Sequence, residues 1–554
     1  VDAGIKARLL AQSFNSLFTH DDGFSPPINN LPGASAPAAP GLSNVVFTPI
    51  LVRRVINKLK AKSAGGPDGI PPLFLKKCVL TLCDPLAFLF QLFFDNSFLP
   101  PVWLQAFVTP VFKKGNSTNP CNYRPISLTC SMCKVMECVI KDQLVAYLHA
   151  NGLISKQQHA FLAKRSTVTN LLESVRDWRI SFKDKLNTDT VYIDFAHAFD
   201  GITLSKITAK LISVGINGKL LDWIVAFLSN RFQCVVLESC FSDWSPVISG
   251  VPQGSVLGPT LFIIFIDSIG SLFNGDLCHQ LFADDLKLYT CIKNDISVFS
   301  LQSALDRLEQ WCITWQLSVN VSKCQVLHLG KNNTCHQYFF AGSLIPSAKV
   351  VKDLGVIVDE LLTFDSHINN VVSRACSRVG VLFKGFSSRS PVLLAKAFVT
   401  YVRPILEYAS NVWNPYLLKH INAIENVQRR FTKRVSSISN LPYPERLAIL
   451  GLEPLELRRL KSDLVFYYKI FNNMVHLPRV YLPSDLPPTQ TRSGGNRLAT
   501  PSFSSLSINN DFFTRCVACW NSLPSHIVQC SSVVAFKNSL FKVDLTRFLH
   551  YNFS

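Results

Sequence analysis

Three carboxylates are the residues of this chain best suited to chemistry. Asp284 and Asp285 are adjacent in Phe282-Ala283-Asp284-Asp285, between the short apolar runs Gln280–Ala283 and Leu286–Tyr289. Asp194 closes a third apolar run, Val191-Tyr192-Ile193-Asp194-Phe195. A carboxylate in such a run costs several kcal/mol unless something offsets its charge. A divalent cation is one such partner, and three carboxylates from two strands can hold two Mg²⁺ ions about 3.5–4 Å apart for in-line phosphoryl transfer. Neighbours on a regular strand point to opposite faces, so Asp284 and Asp285 converge only at a tight hairpin tip. Taken alone, an Asp-Asp pair is more often a solvated acidic turn, so the context must decide.

Two further segments bear groups for binding anions. Ser249-Gly250-Val251-Pro252-Gln253-Gly254-Ser255-Val256-Leu257-Gly258-Pro259 runs into the apolar stretch Leu261–Ile266. A Gly-rich loop that opens a helix lets backbone N–H groups approach a ligand, and Gln253 adds an amide. Lys113, Lys114 and Arg124 flank a short loop ahead of Pro125-Ile126-Ser127-Leu128 and could hold a triphosphate, Arg through its bidentate fork.

Taken in order, these strings resemble the reverse transcriptase of non-LTR (LINE-type, jockey-like) retrotransposons. The likeness runs through Ser63–Pro71, Tyr123–Leu128, Lys164–Thr167, Tyr192–Asp200, Gly250–Pro259, Phe282–Asp285, Leu317–Asn320 with Lys323, and Leu354–Val356. It implies an RNA-directed DNA polymerase of α+β class with a right-hand polymerase fold of fingers, palm and thumb. Asp194, Asp284 and Asp285 match the metal-binding carboxylates, with two Mg²⁺ ions expected and Mn²⁺ as an alternative. Lys323 matches a lysine that protonates the leaving pyrophosphate. Lys113 and Arg124 match triphosphate contacts, and Gln253 and Gly254 match the loop at the incoming nucleotide and template. Phe199 matches the bulky gate against a ribose 2′-OH, although simple core packing would explain it too. His197 departs from the pattern, which has Lys there. The implied partners are an RNA template, a DNA primer or target, and dNTPs. The sequence begins at Val1, and Ala11–Thr19 resembles the connector after the endonuclease of such elements, so a separate endonuclease module is expected upstream. Nucleus and cytoplasm are the locations the family implies. The rival reading is a decayed or domesticated copy that only binds nucleic acid. An RNA-dependent RNA polymerase is disfavoured by Phe199 and Ala283.

The elements that must position these residues are legible more coarsely. The expected division is a connector over 1–45 with a Pro- and Ala-rich linker at Gly33–Gly41, fingers and palm over 46–345, a thumb over 346–435 and a mostly helical C-terminal region over 436–554. Helices are expected over Ile50–Ala61 and Leu301–Trp315, the latter from Leu301, Leu305, Leu308 and Trp311. Leu394, Phe398, Tyr401, Ile405 and Tyr408 recur at helical spacing with a kink expected at Pro404. Over Ile421–Val435, Ile424, Val427, Phe431 and Val435 make an apolar face, while Arg429, Arg430, Lys433 and Arg434 form a candidate nucleic-acid face.

At 554 residues and 48% hydrophobic content the chain can bury a large core. A net charge of +18 suits a polyanionic partner. The best apolar stretches, near Val79–Phe94 and Val256–Phe273, carry Asp84 with Pro85, and Asp267, so no membrane span is expected. Seventeen cysteines without framework spacing suggest reduced thiols in an intracellular protein. Cys516, Cys519, His526 and Cys530 have zinc-like spacing, yet Phe513, Val517 and Trp520 favour a packed helix there. The stretch Phe512–Phe536 also resembles the ordinary tail of jockey-type polymerases, where zinc ligands are not expected.

Overall fold

The computed structural model describes residues 2–26, 41–477, 498 and 510–550. Of the expected linker, only Gly41 lies among them. The carboxylates belong to a five-stranded sheet in the order β12-β9-β3-β8-β7, with β3 Asn187–Ile193, β7 Cys278–Phe282, β8 Asp285–Ile292, β9 Gln325–Leu329 and β12 Ser347–Ala348. Its side chains alternate between two cores, as a period of two requires. Val191, Ile193, Leu286, Leu288 and Val326 enter one core with Leu301, Leu305 and Leu308. Tyr289, Leu327 and Leu329 enter the other with Leu171, Leu172 and Trp178. The sheet is therefore sandwiched between helix Asp295–Trp315 and helix Thr167–Lys183. Asn294 caps the first by accepting from the Ser297 N–H, and Leu301, Leu305, Leu308 and Trp311 are all buried, so the expected stripe is the packed one.

A second sheet contains β1 Gln105–Phe112, β2 Tyr123–Leu128, β4 Arg231–Leu237, β5 Cys240–Phe241 and β6 Ser245–Val247. β1 pairs antiparallel with β2 and parallel with β4. The N-terminal segment, expected only as a connector, docks on this sheet. Helix Ala3–Asn15 buries Ala7, Leu10, Ala11 and Phe14 against Val108 and Val235. Beyond it, Asp21 accepts from Ser205 and Asp22 pairs with the buried Lys206 at 2.9 Å. The helix expected over Ile50–Ala61 runs Pro49–Lys58. It stops early because Lys76 donates to the carbonyls of Asn57 and Leu59, satisfying the acceptors a helix end leaves open.

Short strands β10 Phe339–Phe340 and β11 Ser343–Leu344 form one small pair, and β13 Val350–Asp353 and β14 Val356–Asp359 form another. The described remainder is helical. Helix Pro391–Tyr401 breaks at Val402 and resumes as Arg403–Glu407, because Pro404 cannot donate into a continuous ladder. Tyr401 and Tyr408 do not join the expected apolar stripe. Both are exposed, and the Tyr408 hydroxyl donates to Leu354 O at 2.8 Å. Helix Leu418–Lys433 buries Ile421, Ile424, Val427 and Phe431 in a core that also holds Leu455, Tyr467, Phe512, Trp520 and Phe536. One apolar core thus runs across residue 435. Cys516 and Cys519 are buried within it, whereas His526 is exposed, so the zinc-like spacing is not gathered into a site. No described helix is long and apolar enough to cross a membrane.

Candidate active site

Asp284 and Asp285 stand at a hairpin tip. β7 and β8 pair with Phe282 opposite Asp285, leaving Ala283-Asp284 as the loop. Ala283 has φ +57°, a left-handed conformation that a non-glycine residue adopts only when held there. What holds it is Gln158, whose Oε1 accepts from the Ala283 N–H at 3.0 Å. Asn170 adds a bond from Nδ2 to Leu281 O at 3.1 Å, and the Leu281 N–H donates to Gln157 O.

Asp194 follows β3, where Ile193 lies opposite Leu286 of β8. That register sets Asp194 beside Asp285, both on the face of Tyr192, Lys287 and Tyr289. The segment after β3 is zipped to 318–320: Asn320 donates to Asp194 O and Ala196 to Ser318 O, each at 2.8 Å. Lys323 thereby comes within 3.6 Å of Asp194 Oδ2. Both side chains are well exposed, so this pair contributes little to stability, about 0–1 kcal/mol. Asp194, Asp285 and Lys323 line one cavity of about 280 Å³ with Asn170, Lys287 and Asp353.

The carboxylates at the tip crowd one another. Burial raises the Asp284 carboxyl and the nearby Asp194 adds to it, while Arg124 opposes. Asp285 is reached by solvent, but the surrounding protein and then Asp284, Asp353 and Asp194 push its carboxyl up to about 7. Asp353 is itself paired with Lys287 at 2.6 Å, both buried. Lys113 is lowered by burial and then by Arg124, with Lys323 acting in the same direction and Asp200 and Asp194 opposing. Arg124 thus bears on Asp284, and Lys113 and Lys323 on Asp194. His197, at φ +50°, is held below the usual imidazole range by burial and then by Lys113 and Lys323.

Among the described residues, no three His, Cys, Asp or Glu side chains converge closely enough to hold an ion. Asp194 turns toward Lys323 instead. The donor set still fits a hard divalent cation, because it offers carboxylate oxygens whose crowding shows in the raised Asp284 and Asp285.

The Gly-rich loop is bound to two other segments. The Gln253 carbonyl accepts from the Ser127 N–H of β2 at 2.7 Å, and the Val251 N–H donates to Phe199 O at 2.8 Å. Gly254 has φ +129°, and a Cβ there would stand 2.2 Å from Ser127 O, so only glycine allows the approach. Gln253 Nε2 donates to both carboxylate oxygens of Asp200, at 2.8 and 2.7 Å. Phe199 stacks on buried Phe262 with centroids 4.1 Å apart.

Residues 111–358 match the family model described as reverse transcriptase (RNA-dependent DNA polymerase). This stretch is a reverse transcriptase domain. It contains every strand from β2 to β13 and all three carboxylates. Its curated relatives include the RNA-directed DNA polymerase from mobile element jockey of Drosophila melanogaster, 27% identical over 70% of this chain and 43% of that protein. The counterpart from Drosophila funebris is 28% identical over the same shares. The probable RNA-directed DNA polymerase from transposon X-element of Drosophila melanogaster is 26% identical over 70% of this chain and 44% of that protein. The chain spans less than half the length of these relatives. Among solved structures, a truncated apo telomerase from Candida tropicalis aligns with TM-score 0.34 and 12% identity over 48% of this chain and 55% of that one, too slight a likeness to argue from.

Around the reverse transcriptase domain, the structure does not gather the expected basic face as a unit. Arg430, Lys433 and Arg434 share a cavity of about 390 Å³ with Val379 and Val427. Arg429 turns the other way and lies over the Tyr443 ring at 4.8 Å. Position on the helix decides this: Arg429 falls on the side packed against helix Tyr443–Leu450. Sequence reasoning missed Gln158, Asn170 and Asp200, which position the tip and the loop. Asp200 closes a matched string and could have been found there, whereas Gln158 and Asn170 carry no chemical signal of their own.

Proposed function

We propose that the chain is an RNA-directed DNA polymerase that copies RNA into DNA from a primer 3′-hydroxyl. The observation that carries this reading is the placement of Asp194 beside the Asp284–Asp285 tip, on paired strands of the reverse transcriptase domain. In the right-hand arrangement, 46–345 would be fingers and palm, 346–435 the thumb and 436–554 a helical C-terminal region. Asp194, Asp284 and Asp285 would hold two Mg²⁺ ions, which when bound supply the charge that activates the primer hydroxyl and offsets the triphosphate. The chain's own residues supply the rest. Lys113 and Arg124 bind the triphosphate. Lys323 Nζ holds the proton for the leaving pyrophosphate. Phe199 excludes a 2′-hydroxyl, and Gln253 and Gly254 position the nucleotide against the template. A nick that exposes the primer end would come from a separate module.

The test is primer extension on poly-rA/oligo-dT with dTTP and Mg²⁺. Asp284→Asn and Asp194→Asn should each lower extension by several orders of magnitude while duplex binding, which rests on basic surfaces, changes little. Chelation by EDTA should abolish extension, and excess Mg²⁺ should restore it. A loss of less than about tenfold in both variants would refute the carboxylate assignment.

A further inference from the structure

Outside the polymerase cleft lies a second basic cavity, of about 430 Å³, between helix Leu455–Phe471, helix Val533–Leu540 and the turn at Glu407–Asn411. At its base is Arg459, only 1% exposed. Arg459 Nε donates to Asn414 Oδ1 at 2.9 Å, but neither Nη atom has a hydrogen-bond partner. A buried guanidinium with both terminal nitrogens unsatisfied is costly, and its cost falls when an acceptor arrives.

The carboxylates nearby are already engaged. Asp463 accepts from Arg515 at 3.0 Å and from Asn411 at 2.8 Å. Glu425 accepts from Tyr443 and the Leu455 N–H. Glu407 is paired with Arg458, and Glu453 with Lys461. Lys469 and Lys537 also line the cavity, and neither has an ion-pair partner among the described residues. Five cations and two carboxylates line the space, an excess of three positive charges. Two aromatic rings, Phe466 and the exposed Phe541, stand in the same wall.

The position of the cavity matters as much as its charge. Val168 lines it, while Asn170, two residues along the same helix, lines the cavity of Asp194 and Asp285. The first turn of helix Thr167–Lys183 thus borders both. A strand leaving the cleft past that turn would meet the second cavity next.

We propose that this cavity holds a single-stranded segment of the nucleic acid bound in the cleft, with one phosphodiester on Arg459. Lys469 and Lys537 flank the backbone, and the exposed Phe541, with Lys461 Nζ 4.3 Å from its ring centroid, offers its outer face to a base. Cationic groups interleaved with aromatic rings are what unpaired strands require and duplexes do not. The inference rests on the polymerase reading for the presence of nucleic acid in the cleft.

The experiment compares fluorescence anisotropy of the full chain on a blunt RNA–DNA duplex and on the same duplex with a single-stranded RNA or DNA overhang. For Lys469→Ala/Lys537→Ala, affinity for the overhang should fall and the log K versus log salt slope should flatten by about 0.7 per lost contact, about 1.4 in all. Affinity for the blunt duplex should change less than about twofold, with melting temperature and circular dichroism unchanged. Phe541→Ala should weaken the overhang complex about fivefold or more through lost stacking. Unchanged overhang binding in both variants, or equal losses on blunt and overhung duplexes, would overturn the proposal. So would a site that binds inorganic phosphate while the double variant leaves overhang binding intact, since that marks a free-anion pocket. A chain that extends no primer yet loses overhang binding in these variants would fail the polymerase reading and keep this one. The opposite result would separate them the other way.

Discussion

Asp200→Asn should make the protein more stable at neutral pH, by an amount that depends on pH in a defined way. The Asp200 carboxylate lies under the Gly-rich loop and accepts both of its hydrogen bonds from Gln253. Burial raises its carboxyl from 3.8 to about 6, with Gln253 and then Lys113 opposing. Because the folded form holds its proton more tightly than the unfolded form, the group contributes stability that is present below about pH 4. That contribution is lost as pH rises through about 6. A shift of that size corresponds to about 3 kcal/mol, and partial solvent access reduces it to about 1–3 kcal/mol. Asn is neutral throughout and keeps one oxygen to accept from Gln253. The stability difference, variant minus wild type, should therefore climb by about 1–3 kcal/mol between pH 4 and 6 and stay level above. Urea unfolding of both proteins at half-unit pH intervals measures it. Asp267, raised to about 6, and Asp285, raised to about 7, titrate in both proteins and cancel in the difference. A difference that is flat, or that falls with pH, would refute the reasoning.

Phe199→Ala should raise ribonucleotide relative to deoxyribonucleotide incorporation in single-nucleotide extension. It should also cost about 2–3 kcal/mol of stability through the lost stack on Phe262, and a stability loss with unchanged discrimination would make Phe199 a core residue only. Alanine at Arg430, Lys433 and Arg434 should weaken duplex binding alike for all sequences and flatten the salt slope by up to about 0.9 per lost phosphate contact. Arg429→Ala should leave that slope unchanged, because its guanidinium is committed to Tyr443. Gly254→Ala should push the loop off β2, since its Cβ would meet Ser127 O at 2.2 Å, and should show as a raised KM for dNTP. An unchanged KM would mean that the loop tolerates the shift.

The sequence by itself determined the short-range elements and the chemical types at the site. Two short apolar runs around Asp284–Asp285 pointed to a hairpin tip, and Leu301, Leu305, Leu308 and Trp311 to one face of a helix, because both patterns are read over a few residues. Tertiary structure decided everything that depends on partners far along the chain. The pairing of Ile193 with Leu286 brings Asp194 to Asp285, and Gln158 holds Ala283 left-handed from over a hundred residues away. Helix Ala3–Asn15 looks like the start of a connector until Val108 and Val235 offer it a surface. Lys76 ends helix Pro49–Lys58 before its apolar pattern runs out. Arg429 and Arg430 are neighbours of one charge, and only the packing of helix Tyr443–Leu450 sends one to a ring and leaves the other in a groove. Local periodicity fixes which face of an element is apolar, but which distant surface covers that face is set by packing of the whole chain.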